Sequence, residues 1–274
     1  MGAVLLASLV KGMPGGSEVV VRLVCALSIS GVLLSSTNAM VRLGTQTVTE
    51  MSEYGKLLWP VLAAALAAQG GATSSTALYA GTVAFDTLLC AVISRLLVPM
   101  VYIFLVLSVA NSVTGEALLK QLRDFVRWLM VWALKTILYV FTGYIGITGV
   151  ISGTADAATV KAARLTITGM VPVIGGIIAD ASETIIVGAG VMKSAVGVYG
   201  LIAVIAVCIA PFLQIGIQYL MLKAAAALCG IFGVPEASEL IQDFSSAMGH
   251  VLAMTGSVCF LLLISTVCFM KGMG

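Results

Sequence analysis

Charge is scarce in this chain: 9% of its 274 residues are Asp, Glu, Lys or Arg, where an ordinary soluble domain carries about a quarter. Histidine is scarcer still, with His250 alone in the whole sequence. A water-soluble globule needs a charged surface, and this composition excludes one. The charges present, 14 basic against 12 acidic, are too evenly balanced to draw nucleic acid through its phosphates. Cys25, Cys90, Cys208, Cys229, Cys259 and Cys268 each lie within or at the edge of an apolar run. Closely spaced disulfide pairs are missing, as is any CxxC or Cys/His spacing for zinc, so these cysteines read as small apolar side chains packed among helices. No HExxH, no GxxxxGK[ST] phosphate loop and no GxSxG elbow occurs. Neither a catalytic residue nor a metal or cofactor is expected.

What the chain has in abundance is apolar sequence, 60% of it. A helix needs about 20 such residues to cross the hydrocarbon layer. Five stretches, 19–41, 84–110, 126–151, 195–222 and 247–270, are long and continuous. Two others, 57–80 and 165–192, are interrupted. Each places a proline near its start (Pro60, Pro172), then a double glycine (Gly70-Gly71, Gly175-Gly176), then a small polar patch. Each reads as a broken helix or re-entrant hairpin, which a membrane tolerates only where protein or a cavity surrounds it. The expected fold is therefore all-α, a polytopic helical membrane protein of about seven membrane segments in a single membrane domain over 1–274.

Short amphipathic helices are predicted over 113–126 and 235–246. In the first, Leu118, Leu119, Leu122, Phe125 and Val126 share one face, with Lys120, Arg123 and Asp124 off it; in the second, Leu240, Ile241 and Phe244 likewise share one face. The pattern predicts an internal repeat with units 19–126 and 127–246, followed by a final helix 247–270. Residues 1–11 read as the tail of a helix whose beginning is missing, since no basic residue precedes the apolar stretch as it would in a secretory signal.

Two topologies follow from the broken segments. If each is one crossing, the second unit runs inverted to the first, and seven basic residues fall on the cytoplasmic side against three outside. That arrangement puts the C-terminus and the Lys120–Arg127 region inside, and Glu236, Glu239 and Asp243 outside. If both segments enter and leave by one face, the chain crosses five times.

Asp180 and Glu183 are the most informative polar pair, because a spacing of three sets both carboxylates on one helical face within a broken segment. Carboxylates are costly in hydrocarbon and by default face a cavity, a cation or a partner helix. Arg95 and Lys135 lie mid-run, and either could pair with Asp180 or Asp86. Asp86 and Arg95, nine residues apart, are about half a turn out of phase and should not pair with each other. Gly143, Gly146 and Gly149, and then Gly197 and Gly200, allow close helix approach; Pro211 predicts a kink. His250 is expected at the membrane interface.

The stretch GVISGTADAATVKAARLTITGMVPVIGGIIADASETI from Gly149 to Ile185 resembles the stage III sporulation protein AE family of spore-forming bacteria. The resemblance continues in Met192-Lys193-Ser194-Ala195-Val196-Gly197, around Cys208 to Pro211, in Leu222-Lys223-Ala224-Ala225-Ala226-Ala227, and earlier in Leu58-Trp59-Pro60 leading to Gln69-Gly70-Gly71-Ala72-Thr73-Ser74. It implies membership of a multiprotein apparatus joining mother cell and forespore, with an ATPase, ring-forming proteins and a forespore partner, in the mother-cell membrane surrounding the forespore. It carries no catalytic assignment. The signal-like segment and external region that usually precede the first helices in that family are not in this sequence.

Two functional readings follow. In the first the chain is a non-enzymatic membrane component of that transport or secretion apparatus. In the second it is a secondary transporter or ion-conducting permease, with a midplane site at the paired broken helices.

Overall fold

A computed structural model describes residues 18–68, 72–147 and 195–272, and all of the regular structure in them is helical. The elements are α1 (Glu18–Ala68), α2 (Ala72–Val92), α3 (Val98–Thr114), α4 (Ala117–Ile147), α5 (Ala195–Ile231) and α6 (Pro235–Gly272). A π-helical turn, Ile93–Leu97, joins α2 and α3 into one rod. Pro99 explains that turn. It has no N–H to give to the Arg95 carbonyl and its ring would collide with it, and the chain widens locally instead, with the Val98 N–H bonded five residues back to Ile93 O. Pro60 and Pro211 lie inside α1 and α5, which run on through them.

Four stretches of described helix are long and apolar enough to cross a membrane: Leu78–Thr114, Ala117–Ile145, Tyr199–Ile231 and Pro235–Phe269. They play different parts. In the last, 83% of the apolar window is buried within the protein, against 28–39% in the other three. Helix α6 is thus the centre, and it packs against each of the other five helices. Its small residues permit this: Ala247, Ala253, Ser257 and Ser265 are all buried. The hydroxyls of Thr255, Ser257 and Thr266 are satisfied by carbonyls one turn back, on Val251, Ala253 and Leu262, so they are carried into an apolar core without outside partners.

Helix α1 packs on this centre through Val41, Gly44, Val48, Met51, Gly55, Trp59 and Leu62, all buried. Their alternation of three and four residues is that of a helix–helix seam. Gly44 sets the approach distance, because a Cβ there would strike Val251.

Chain direction is fixed by side-chain pairs. Ser52 bonds Asp86, and Tyr102 bonds Asn38, over separations of 34 and 64 residues, both centred on residues 69–70. Helices α1 and α2–α3 are therefore an antiparallel hairpin about that point. Residues 57–80 are not a crossing of their own; their two halves finish α1 and begin α2. The predicted amphipathic segments are not separate helices either. Residues 117–126 open α4 and 235–246 open α6; each helix runs on unbroken from its polar start into the apolar run, in α6 through Gly249. The repeat boundaries drawn at 126 and 246 fall inside these continuous helices.

Two tight turns complete the bundle. Gly115 (φ 69°) caps α3, its N–H on Asn111 O at 2.8 Å, and Gly233 (φ 73°) lies between α5 and α6. Left-handed backbone favours glycine at both.

Candidate functional site

The deepest charged side chain in the hairpin is Asp86, 1% exposed. Position 52 on α1 and position 86 on α2 come level because the two helices run antiparallel. Ser52 Oγ donates to Asp86 Oδ2 at 2.5 Å, and Cys90 Sγ, one turn along α2, donates to Oδ1 at 3.9 Å. Lys56, one turn beyond Ser52, is within electrostatic reach. Each carboxylate oxygen thus has a donor, the condition under which such a group is kept inside an apolar bundle.

A second polar site lies at the end of the bundle that carries the two glycine turns. Arg123 on α4 is buried and its Nη1 donates to Asp243 Oδ2 at 2.7 Å and to Glu239 Oε1 at 3.1 Å on α6, while Nη2 and Nε reach Asp124 Oδ1 at 3.3 Å. Beside it is a pocket of 180 Å³ with Ser108, Asn111, Lys120, Glu239 and Asp243 in its wall. The volume is enough for a few water molecules. Among the described residues no group of three or more His, Cys, Asp or Glu side chains is arranged to hold a metal.

This cluster decides the topology of the two ends. Arg123 lies just after the α3–α4 turn and Asp243 just after the α5–α6 turn, and their ion pair puts both turns at one end of the bundle. The inverted arrangement, with 120–127 inside and 236–243 outside, would separate them by a membrane and is corrected by this pair. At the other end Tyr144, late in α4, packs on Phe85, and Gly200, early in α5, lies against Leu58. Helix α5 therefore begins at the end where α4 finishes.

The sequence expectations fare unevenly. Gly70, Gly71, Pro172, Gly175, Gly176, Asp180 and Glu183 lie outside the described residues. Arg95 sits in the π-turn, exposed, with no ion-pair partner among the described residues. It does not meet Asp86, as the helical phase requires, and Asp86 is held by Ser52 instead. Lys135 is exposed. His250 is buried within the protein, near the middle of α6, with its ring edge-on to Phe104, 6.0 Å between centroids.

The amphipathic reading of 113–126 holds only in part. Lys120 and Asp124 are exposed as expected, but Arg123 is buried, and of the apolar face Leu118, Leu122 and Phe125 are exposed, Leu119 is half-buried and Val126 is buried. Apolar moment points to the core only where the outside is water. Here Arg123 turns inward because carboxylates wait on α6, and Phe125, Trp128 and Trp132 stack in a ladder on the outer surface, as aromatic side chains do at a membrane boundary. Residues 240, 241 and 244 do point inward as expected.

Ser52, Arg123 and Asp243 are the polar partners that periodicity missed.

The sequence matches the stage III sporulation protein AE family over residues 5–272. A curated relative, stage III sporulation protein AE of Bacillus subtilis (strain 168), is 25% identical over 234 residues, which is 85% of this chain and 58% of the relative. The chain thus spans a little over half the length of that relative. No solved structure matches it. With the family match running through every helix described above, from before α1 to the last residue of α6, this chain belongs to the stage III sporulation protein AE family.

Proposed function

We propose that the chain is a membrane component of a sporulation-specific transport or secretion apparatus connecting mother cell and forespore. Its place is the mother-cell membrane around the forespore, and its partners are the lipid bilayer and the other stage III proteins: an ATPase, ring-forming proteins and a forespore partner. The observation that carries the reading is the family match over residues 5–272 on a bundle with four helices apolar enough to span a membrane. The role assigned is structural and conductive, with no catalytic residue. Deletion should leave the early stages of sporulation intact and arrest the forespore after engulfment. Normal spore yield from a clean deletion would refute it.

A second reading, a permease acting by itself, is favoured by one observation: a carboxylate, Asp86, buried and hydrogen-bonded between two helices of an apolar bundle. Intramembrane carboxylates of this kind serve proton and ion paths. The second broken segment, with Gly175-Gly176, Asp180 and Glu183, would add further polar groups to the path. Purified protein in liposomes then shows a cation or proton flux that Asp86→Asn or Asp180→Asn abolishes; equal flux in variants and parent removes the reading.

A further inference from the structure

Three sulfur-bearing side chains from three helices meet inside the bundle. Met51 on α1 and Cys208 on α5 are both buried, and Cys208 Sγ lies 3.8 Å from Met51 Sδ. The thiol of Cys208 is also in side-chain hydrogen-bond contact with that of Cys259 on α6. Neither cysteine is tied up in a disulfide.

Helix register supports the same meeting. Going along α1 from Gly44 to Gly55, the neighbour on α6 moves from Val251 to Leu262. The step is equal and in the same direction, so the two helices run parallel and Met51 comes level with Val258, next to Cys259. Helix α5 runs the other way, with Ile215 against Gly44 and Gly200 against Leu58, and this brings position 208 to the level of position 51. Spacing along the chain does not reveal the set, because each sulfur comes from a different helix.

Two thiols and a thioether make a soft donor set, and such ligands select Cu(I). A metal bound to three sulfurs at about 2.3 Å holds them about 4 Å apart, so the 3.8 Å between Met51 and Cys208 is already one edge of such a triangle. Zinc takes four ligands from Cys, His, Asp and Glu, and among the described residues no three of these are grouped to hold a metal. Cu(I) needs only one thiol proton to be displaced into water. The site then holds one thiolate, one thiol and one thioether around a single positive charge and is neutral, as an apolar surrounding requires. Cys259 is partly exposed and gives the ion its way in.

We propose that Met51, Cys208 and Cys259 form a binding site for one Cu(I) ion, which joins α1, α5 and α6 at this level. The site is separate from Asp86 and from the sporulation role.

The test uses the purified full chain in detergent, kept free of oxygen with ascorbate and titrated with Cu(I) against the chromophoric chelator bicinchoninate. The chain should take one ion from the chelator. Cys259→Ser, at the partly exposed position, and Met51→Leu, which keeps the volume, should each weaken binding about tenfold or more, since even the outer partners of metal ligands are worth roughly 10- to 100-fold. Cys229→Ala should bind as the parent does. Failure to take the ion, or parent-like binding by Cys259→Ser, overturns the site. Parent-like binding by Met51→Leu overturns the three-sulfur set, and displacement of Cu(I) by equal Zn(II) overturns the choice of ion. X-ray absorption at the copper edge of the unaltered chain depends on no variant: three sulfurs at about 2.3 Å are expected, and oxygen or nitrogen neighbours in their place overturn the assignment.

Discussion

At the residue scale the protein is held by a few polar contacts in an apolar setting, where each counts for more than it would in water. Asp243 and Arg123 are both buried, and removing one partner strands the other. Asp243→Ala should therefore destabilise the protein by about 3 kcal/mol or more, read as a lowered midpoint of thermal unfolding in detergent. The double change Arg123→Met with Asp243→Leu should recover most of that loss, since a buried pair replaced by apolar side chains costs little. No loss in the single variant would mean that the pair is solvated and that the two turns are not tied through it. For Ser52→Ala the expected cost is about 1–3 kcal/mol, because one oxygen of Asp86 loses its donor; Ser52→Thr should retain the bond and most of the stability. Chemical denaturation of the two variants side by side separates the lost hydroxyl from a mere change of volume.

At the scale of the element, the long apolar runs were legible because nothing competes with length and hydropathy in a membrane chain. The described spans Leu78–Thr114, Ala117–Ile145, Tyr199–Ile231 and Pro235–Phe269 overlap the apolar runs read at 84–110, 126–151, 195–222 and 247–270. Their ends were not legible. Residues 113–126 and 235–246 looked like separate surface helices because their polarity changes abruptly at the junction, yet backbone geometry does not respond to polarity, and α4 and α6 each run on from the polar start into the apolar stretch. The inward turn of Arg123 was equally hidden, since it depends on Asp243, 120 residues away. The resemblance to the stage III sporulation protein AE family was legible in residues 149–185, although those residues lie outside the described structure. Close packing of α1 on α6 belongs to this scale too. Gly44→Ala puts a methyl group into Val251, a short and rigid neighbour, and should cost about 1–3 kcal/mol despite alanine's better helix propensity. Adding Val251→Ala should restore stability; a Gly44→Ala protein as stable as the parent would show that the two helices do not approach as described.

On the scale of the whole molecule, the described residues form five helical rods, α6 among them at the centre, and the side-chain pairs between them fix alternating directions. Topology was the part least accessible from charge counting. Basic residues near helix ends favoured an inverted arrangement, but the count weighs each residue as if it met the membrane surface independently, whereas Arg123 is neutralised by Asp243 and Glu239 across the bundle. Once paired, it says which helices meet and little about which compartment they face. The central claim is that the α3–α4 and α5–α6 turns share one face of the membrane while α6 ends on the other. The most direct measurement is accessibility of single cysteines to an impermeant thiol reagent in sealed vesicles of one orientation, with Glu116→Cys and Phe232→Cys at the turns and Gly272→Cys at the end of α6. The account predicts that 116 and 232 label together and that 272 labels only when the vesicles are opened or inverted. Labelling of 116 and 232 from opposite sides would contradict it.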